Sequence, residues 1–400
     1  MQVAIIIPKV DLSGLKFTSS STYTVVGEIG RGGMGIVLLS EKNSEGVADL
    51  VALKTIRTRS AGHEARLKEE ANIATGLRHE NIVKTYGLEA IPYGQLPPEF
   101  LREFDTLSSE NARRVQVRNR ALPGGGPADP RTRIHVAPQA GEKLYLMVMD
   151  YIEGTDLRTF QSDHLKRDLL IPAPLGAFLV SRIARALAYA HGSIVHRDIT
   201  PENLLLNTQG VAKLSDFGVA VTERAEGVTG KISYLSPEQI LGRDVDARTD
   251  LYSLGLVLYL VLTGVPLQKA PPTLAPADRL EYVKRLLERP VLPPSRIRPD
   301  VPEPASAICM RMLERDPAAR YARAEDVARD LEQQYLYAKG FGPTNNSMQA
   351  YLEIFDSGFK ESTPAQLQQL PFLGGRLRRG IAASDHTKEG RLVLEETLNR

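Results

Sequence analysis

From Tyr23 onward apolar residues arrive in short runs broken by glycine. "YTVVGEIG", "GIVLLSEK" and "LVALKTI" carry the alternation of three antiparallel strands and predict a small sheet. The period then changes. In "GHEARLKEEANIATGL", Ala65, Leu67, Ala71, Ile73 and Ala74 form a helical stripe with acids and bases opposite, which predicts one helix packed on that sheet. Beyond about residue 152 long helical periods dominate: "PLGAFLVSRIARALAYAHG", "TDLYSLGLVLYLVLTG", "ASAICMRMLERD" and "AEDVARDLEQQYLYA". The expected class is α+β, a small antiparallel sheet lobe with one helix followed by a larger helical lobe.

The same pattern divides the chain into an N-terminal extension 1–22, a first lobe 23–151, a second lobe 152–340 and a tail 341–400 from which no fold is read. Within the first lobe, 89–142 is rich in Pro and Gly and much longer than an ordinary connection. Its "VQVRNRAL" and "RTRIHVAP", around the turn-rich "PGGGPADP", predict an added hairpin. The hairpin concentrates Arg113, Arg114, Arg118, Arg120, Arg131 and Arg133 against the single acid Asp129. It reads either as a solvated hairpin whose charge prevents edge pairing, or as a docking site for an acidic or phosphorylated partner.

Composition narrows the function classes. The 400 residues are 42% hydrophobic and 24% charged, ordinary globular usage without internal repeats. Fifty basic against 48 acidic side chains leave a net +2, so bulk charge gives no reason to expect a nucleic-acid or membrane partner. A single cysteine, Cys309, excludes an intramolecular disulfide and fits a reducing compartment. The N-terminus is too weakly patterned for a signal peptide, and the longest apolar run is shorter than the ~20 residues a bilayer requires. A soluble, cytoplasmic protein is expected.

Chemistry enters through five motifs in a fixed order. "GEIGRGGMGIV" sets Gly30, Gly32 and Gly35 between two strands, a loop whose backbone N–H groups can approach phosphate oxygens. Alone it is weak, since glycine turns between strands are common. Lys54 in "VALK" can neutralise nucleotide phosphates, and Glu70 on the following helix, with Glu69 as the alternative, can hold the lysine's charge and direction. "HRDITPEN" offers Asp198 as acceptor of a hydroxyl proton. Asn203, and Asp216 in "SDFG", add hard oxygens suited to Mg²⁺. "SYLSPEQ" closes the series.

In combination these motifs resemble those of eukaryotic-type serine/threonine protein kinases, the kind also common in bacteria, over about residues 23–338 apart from the inserted segment. The resemblance implies the bilobal kinase fold, ATP and Mg²⁺ as cofactors, protein Ser/Thr hydroxyls as substrates, and a non-specific serine/threonine protein kinase acting in signalling. It implies Val37 and Ala52 as the adenine roof and Leu204 as its floor. Met149 is the implied gatekeeper, the Asp150 carbonyl and Ile152 amide bond the adenine edge, and Asp156 lies near the ribose. Ser236, Pro237 and Glu238 stand for Ala-Pro-Glu with Arg320 as Glu238's partner, and Asp250 anchors the catalytic loop.

The same resemblance makes Arg197 the receiver of a phosphate from the activation segment, where Thr222 and Thr229 are the expected autophosphorylation sites. One departure stands out. The resembled family carries a lysine at 200 and a threonine at 231, and this chain has Thr200 and Lys231. An exchange of the two roles is the favoured expectation; Lys231 serving substrate choice, or a weakened enzyme, are the others. Two further classes stay open: a pseudokinase acting as a binding module, and a small-molecule phosphotransferase of related fold. Lys54, Asp198 and Asp216 argue against the first. The run from "DFG" to "SPEQ", a peptide platform, argues against the second.

Overall fold

The computed structural model describes residues 12–32, 35–44, 46–57, 61–96, 100, 143–217, 231–271 and 273–358. These divide into two compact units, one formed by the chain up to Thr75 with Lys84–Tyr151, the other by Gly76–Val83 and the chain from Ile152 on.

The first unit is a wholly antiparallel sheet of β1 (Lys16–Thr18), β2 (Thr22–Gly32), β3 (Gly35–Ser44), β4 (Val47–Arg57), β5 (Thr85–Pro92) and β6 (Lys143–Asp150), in the order β1-β2-β3-β4-β6-β5. The three strands expected from the alternation are β2, β3 and β4. Helix α1 (Ala61–Gly76) packs Leu67, Ala71 and Ala74 inward. That spacing of four and three residues is a narrower stripe than expected: Ile73 is half-buried and Ala65 exposed.

Two features differ from the sequence reading. Residues 12–22 of the N-terminal extension are part of the fold, since Leu12 and Phe17 lie in the sheet's core with Tyr23, Ile91, Tyr93 and Phe100. Strand β5 runs on to Pro92, beyond the expected start of the insertion at 89. The expected hairpin, with its arginines and its docking role, lies outside the described residues.

The second unit has a three-stranded sheet of β7 (Gly154–Asp156), β8 (Leu204–Asn207) and β9 (Ala212–Leu214). Around it stand α2 (Leu157–Lys166), α3 (Ala173–Ala190), α4 (Pro237–Ile240), α5 (Arg248–Thr263), α6 (Pro276–Leu287), α7 (Pro294–Ile297), α8 (Glu303–Met312), α9 (Ala324–Asp330) and α10 (Asn345–Asp356). Helix α5 is buried all round from Thr249 to Thr263, as the apolar run Leu254–Leu262 on every face of it requires. It ends at Gly264, whose φ of 77° places the residue in the left-handed region while its N–H bonds the Leu260 carbonyl at 2.7 Å. No helix among the described residues is long and apolar enough to cross a membrane.

Part of the tail folds as well. Thr344 and Ser347 cap α10 reciprocally, and its Met348, Tyr351, Ile354 and Phe355 are buried. The residues from 359 on lie outside the described set.

Candidate active site

In the first unit the strand register fixes which side chains share a face. Val37 pairs with Lys54 and Lys54 with Met147; Ala52, two residues from Lys54, pairs with Met149. Val37, Ala52, Lys54 and Met149 therefore project from the same side of the sheet, as directly opposed residues and period-2 neighbours must. Gly30 pairs with Val37 and Gly32 with Gly35, so β2 and β3 stay paired up to the ends of the glycine-rich segment.

Gly35 is required twice over. Its φ is 145°, and a Cβ there would fall 2.3 Å from the Thr55 carbonyl oxygen and 2.5 Å from its hydroxyl. That hydroxyl accepts from the Ile36 N–H at 2.8 Å and donates to the Ile36 carbonyl at 3.0 Å, tying the glycine-rich segment to the strand that bears Lys54. Lys54 is buried, Glu70 is half-buried beside the packed stripe of α1, and Glu69 is exposed. Asp150 ends β6, with its N–H on the Lys84 carbonyl.

In the second unit the loop between α3 and β8 carries the chemistry. Asp250, fully buried at the start of α5, accepts from the N–H groups of His196 at 2.8 Å and Arg197 at 2.7 Å, and bonds His191 Nε2 at 2.9 Å. Arg197 takes a left-handed φ of 64°, and its carbonyl accepts from Gln239 Nε2 at 2.9 Å, so the strained residue is fixed on both sides. Asp198 follows directly. Asn203 Nδ2 donates to the Asp198 carbonyl at 2.7 Å and to its carboxylate at 3.1 Å, which turns the Asn203 amide oxygen away from that carboxylate.

The Asn203 carbonyl in turn accepts from the Ser215 N–H at 2.9 Å and hydroxyl at 3.1 Å. His196 Nε2 bonds the Ser215 carbonyl at 2.8 Å, and its ring meets Phe217 edge-on at 4.6 Å. Ser215 thus brings Asp216, itself at a φ of 67°, beside Asn203. The Asp216 carboxylate and the Asn203 amide oxygen are hard donors of the kind Mg²⁺ prefers.

Other expected residues have their places. Leu204 opens β8 and is buried; Ile152 begins the longer stretch of the second unit. Asp156 caps α2, one oxygen accepting from the Thr159 N–H at 2.9 Å and the other from its hydroxyl at 2.7 Å. Thr200 is buried ahead of the 3₁₀ turn Pro201–Asn203. Glu238 and Arg320 form a buried bidentate pair with both contacts at 2.8 Å, and Thr249 adds a bond of 2.7 Å. Burial works against the Glu238 charge; the Arg320 and Thr249 bonds outweigh it and hold the carboxyl below its ordinary pKa.

Thr222 and Thr229 lie outside the described residues. So does the Lys231 side chain, although the backbone of Lys231 begins a 3₁₀ turn, Lys231–Tyr234. Among the described residues the Arg197 Nε is buried without a hydrogen-bond partner. Cys309 sits within hydrogen-bonding reach of the Gly255 carbonyl, and burial pushes its thiol pKa up, which suits packing and not nucleophilic chemistry.

Ser215 and Gln239 were not singled out from the sequence. A signal existed for Gln239: "SPEQ" has capping-box spacing, and Ser236 and Gln239 do cap α4 reciprocally. No comparable signal marked Ser215.

Comparison with known proteins gives a consistent family. The protein kinase domain family matches residues 133–335. A probable serine/threonine-protein kinase of Clostridium perfringens is 37% identical over 48% of this chain and 27% of its own length. The tyrosine-protein kinase MasK of Myxococcus xanthus is 35% identical over 48% of this chain and 31% of its own. The chain thus spans less than a third of the length of either relative. The crystal structure of the Mycobacterium tuberculosis PknI kinase domain superposes with a TM-score of 0.53 at 23% identity over 80% of this chain and 98% of that one, a likeness of fold.

Proposed function

Because this chain belongs to the protein kinase family, in its bacterial eukaryotic-type serine/threonine branch, we propose that it transfers the γ-phosphoryl group of ATP to protein Ser and Thr hydroxyls. The observation that carries this reading is the network that joins Asp198, Asn203 and Ser215–Asp216 through bonds of 2.7 to 3.1 Å and ties the loop to Asp250. A binding module has no need of a carboxylate, an amide oxygen and a second carboxylate held at fixed spacing. Phosphoryl transfer does, since its catalysis is mostly positioning and electrostatics.

Asp198 accepts the proton of the attacking hydroxyl, and Asn203 and Asp216 hold Mg²⁺. The metal supplies charge neutralisation at the transferred phosphoryl group. Lys54, directed by Glu70, neutralises the nucleotide phosphates under the Gly30–Gly35 segment. Val37, Ala52 and Met149, with the Asp150 carbonyl, are the first unit's proposed adenine contacts, and Leu204 and the Ile152 amide are those the resemblance assigns in the second. Asp156, already engaged by Thr159, serves the ribose only through what its cap leaves accessible. The unpartnered Arg197 Nε awaits a phosphate placed on Thr222 or Thr229 by the enzyme itself.

Transfer of labelled phosphate from Mg-ATP to a generic protein substrate tests the assignment. Asp198→Asn should cost at least ~10²-fold, the low end for removing a general base. Full turnover in that variant would end the assignment. Phosphoamino-acid analysis of the product decides between Ser/Thr and Tyr, a distinction sharpened by MasK's name, and peptide mapping of 218–230 decides the loop sites.

A further inference from the structure

The turn joining β1 to β2 is a run of five hydroxyl residues, Thr18 to Thr22. Thr18 and Thr22 bond each other at 3.3 Å, Ser21 bonds Ser44 at 2.8 Å, and the Ser19 side chain bonds Glu89. Ser20 meets Glu89 twice. Its hydroxyl donates to Glu89 Oε1 at 2.5 Å and its N–H to Oε2 at 3.2 Å, while the Tyr23 hydroxyl donates to Oε1 at 2.9 Å. Burial works to raise the Glu89 pKa, and the serine and tyrosine bonds outweigh it, so the carboxyl titrates below its ordinary range. Glu89 is therefore an anion surrounded by donors, and exposed Ser20 supplies two of them.

The contacts beyond this turn are short in sequence. Strand β1 is three residues long, paired through Lys16–Thr24, Phe17–Tyr23 and Thr18–Thr22, and the chain before it adds the Gly14 N–H to the Val25 carbonyl, the Val25 N–H to the Leu15 carbonyl, both at 2.8 Å, and the Ser13 hydroxyl to the Val26 carbonyl at 3.0 Å. Phe17 stacks on Tyr23 at 5.4 Å and meets Phe100 at 6.4 Å, next to Tyr93 and Leu96 in the core.

We propose that Ser20 is a self-phosphorylation site whose phosphate, set against Glu89, releases strand β1 from the sheet. This rests on the kinase reading above. In the transfer a bond forms between Ser20 Oγ and the γ-phosphorus of a nucleoside triphosphate, and the bond from that phosphorus to the β,γ-bridging oxygen breaks. The hydroxyl proton passes to Asp198 of the enzyme copy at work, and the nucleoside diphosphate leaves. The product replaces a hydrogen-bond donor by about −1.5 to −2 charge at the distance of a hydrogen bond from a carboxylate. Like charges at that separation in a half-buried site cannot both keep their places. The turn is the part that yields, because Thr18, Ser19, Ser20 and Thr22 are exposed and its remaining side-chain bonds lie at the surface. Phe17 then leaves the core and uncovers Tyr93, Leu96 and Phe100, which precede the arginine-bearing segment.

The test uses the full chain. After incubation with Mg-ATP, peptide mapping of residues 12–32 is read beside phosphate transfer to a generic protein substrate in the same tube. Hydrogen exchange of amides 12–18 is then compared among wild type, Ser20→Ala, Ser20→Glu and Ser20→Glu with Glu89→Gln. The expected result is phosphate on Ser20, exchange at least about tenfold faster in Ser20→Glu, near-normal exchange in Ser20→Ala, and recovery in the double variant. Transfer to the substrate without phosphate on Ser20 overturns the modification and leaves the kinase reading intact, whereas no transfer to either overturns both. Unchanged exchange in Ser20→Glu overturns the release of β1, and acceleration that persists with Glu89→Gln overturns the part given to Glu89.

Discussion

At residue 200 a single side chain departs from the pattern of the resembled kinases. Thr200 is buried directly after Asp198–Ile199, where the resembled kinases carry a lysine that contacts the transferred phosphate. The 3₁₀ turn that opens at Lys231 follows Gly230, the position after which those kinases carry a threonine. We propose that Lys231 supplies the missing charge, so that only its chain of origin has changed. A phosphate-directed charge lost from a transition state costs roughly 2.7 to 4 kcal/mol, so Lys231→Ala should lose about 10² to 10³ in kcat. Thr200→Lys and Lys231→Thr should each impair turnover and together restore it, a coupling that a double-mutant cycle reads directly. Near-normal kcat in Lys231→Ala removes the proposal.

Among elements, α10 was illegible for an instructive reason. Met348, Tyr351, Ile354 and Phe355 make a helical stripe, and Thr344 with Ser347 forms its cap, but a 12-residue helix is marginal until it packs. What it packs on lies nearly two hundred residues earlier, at His164 of α2, and no local pattern announces such a partner. The motifs that carry chemistry were legible for the converse reason. Each is a contiguous run, such as "HRDITPEN", in which spacing alone sets the geometry. What escaped were residues acting largely through backbone atoms, Ser215 above all with its N–H on Asn203 and its carbonyl on His196, because a backbone bond leaves no mark on residue type.

His164 gives α10 a pH signature. It is fully buried; the Phe160 carbonyl can only accept, so Nδ1 carries the proton, and Nε2 accepts from the Tyr351 hydroxyl at 2.9 Å. Its ring stacks on Phe355 at 4.1 Å. Burial, joined by the Arg167 cation, outweighs the Phe160 bond and Asp163 and lowers its pKa to about 4. The unfolded chain, with an ordinary histidine pKa, therefore binds the extra proton first. The stability from keeping His164 neutral is present above about pH 6.5 and is lost as pH falls towards 4. Chemical denaturation at pH 7 and pH 5 should differ by about 2 kcal/mol from this group. In His164→Leu that difference should shrink by the same amount, and an unchanged pH dependence would assign it elsewhere.

At the scale of the molecule, the kinase motifs mark a core region of 23–338, yet each unit is completed by chain outside it. Phe17 closes the first unit's core from the N-terminal side, and Phe355 closes the second's against Phe160 at 5.7 Å and His164. Motif spacing could not reveal this, because these residues pack and touch none of the chemistry. Truncating a buried phenylalanine to alanine costs about 3 to 5 kcal/mol through lost burial and the cavity left behind. Phe17→Ala and Phe355→Ala should each show a loss of that order in denaturant unfolding of the full chain, with catalytic motifs untouched. Because the two side chains belong to different units, the double variant should lose the sum of the two within about 0.5 kcal/mol. Two resolved transitions would be the stronger result, Phe17→Ala moving one and Phe355→Ala the other. A loss below about 1 kcal/mol from either substitution would mean that the terminal segments merely lie on the units and do not complete them.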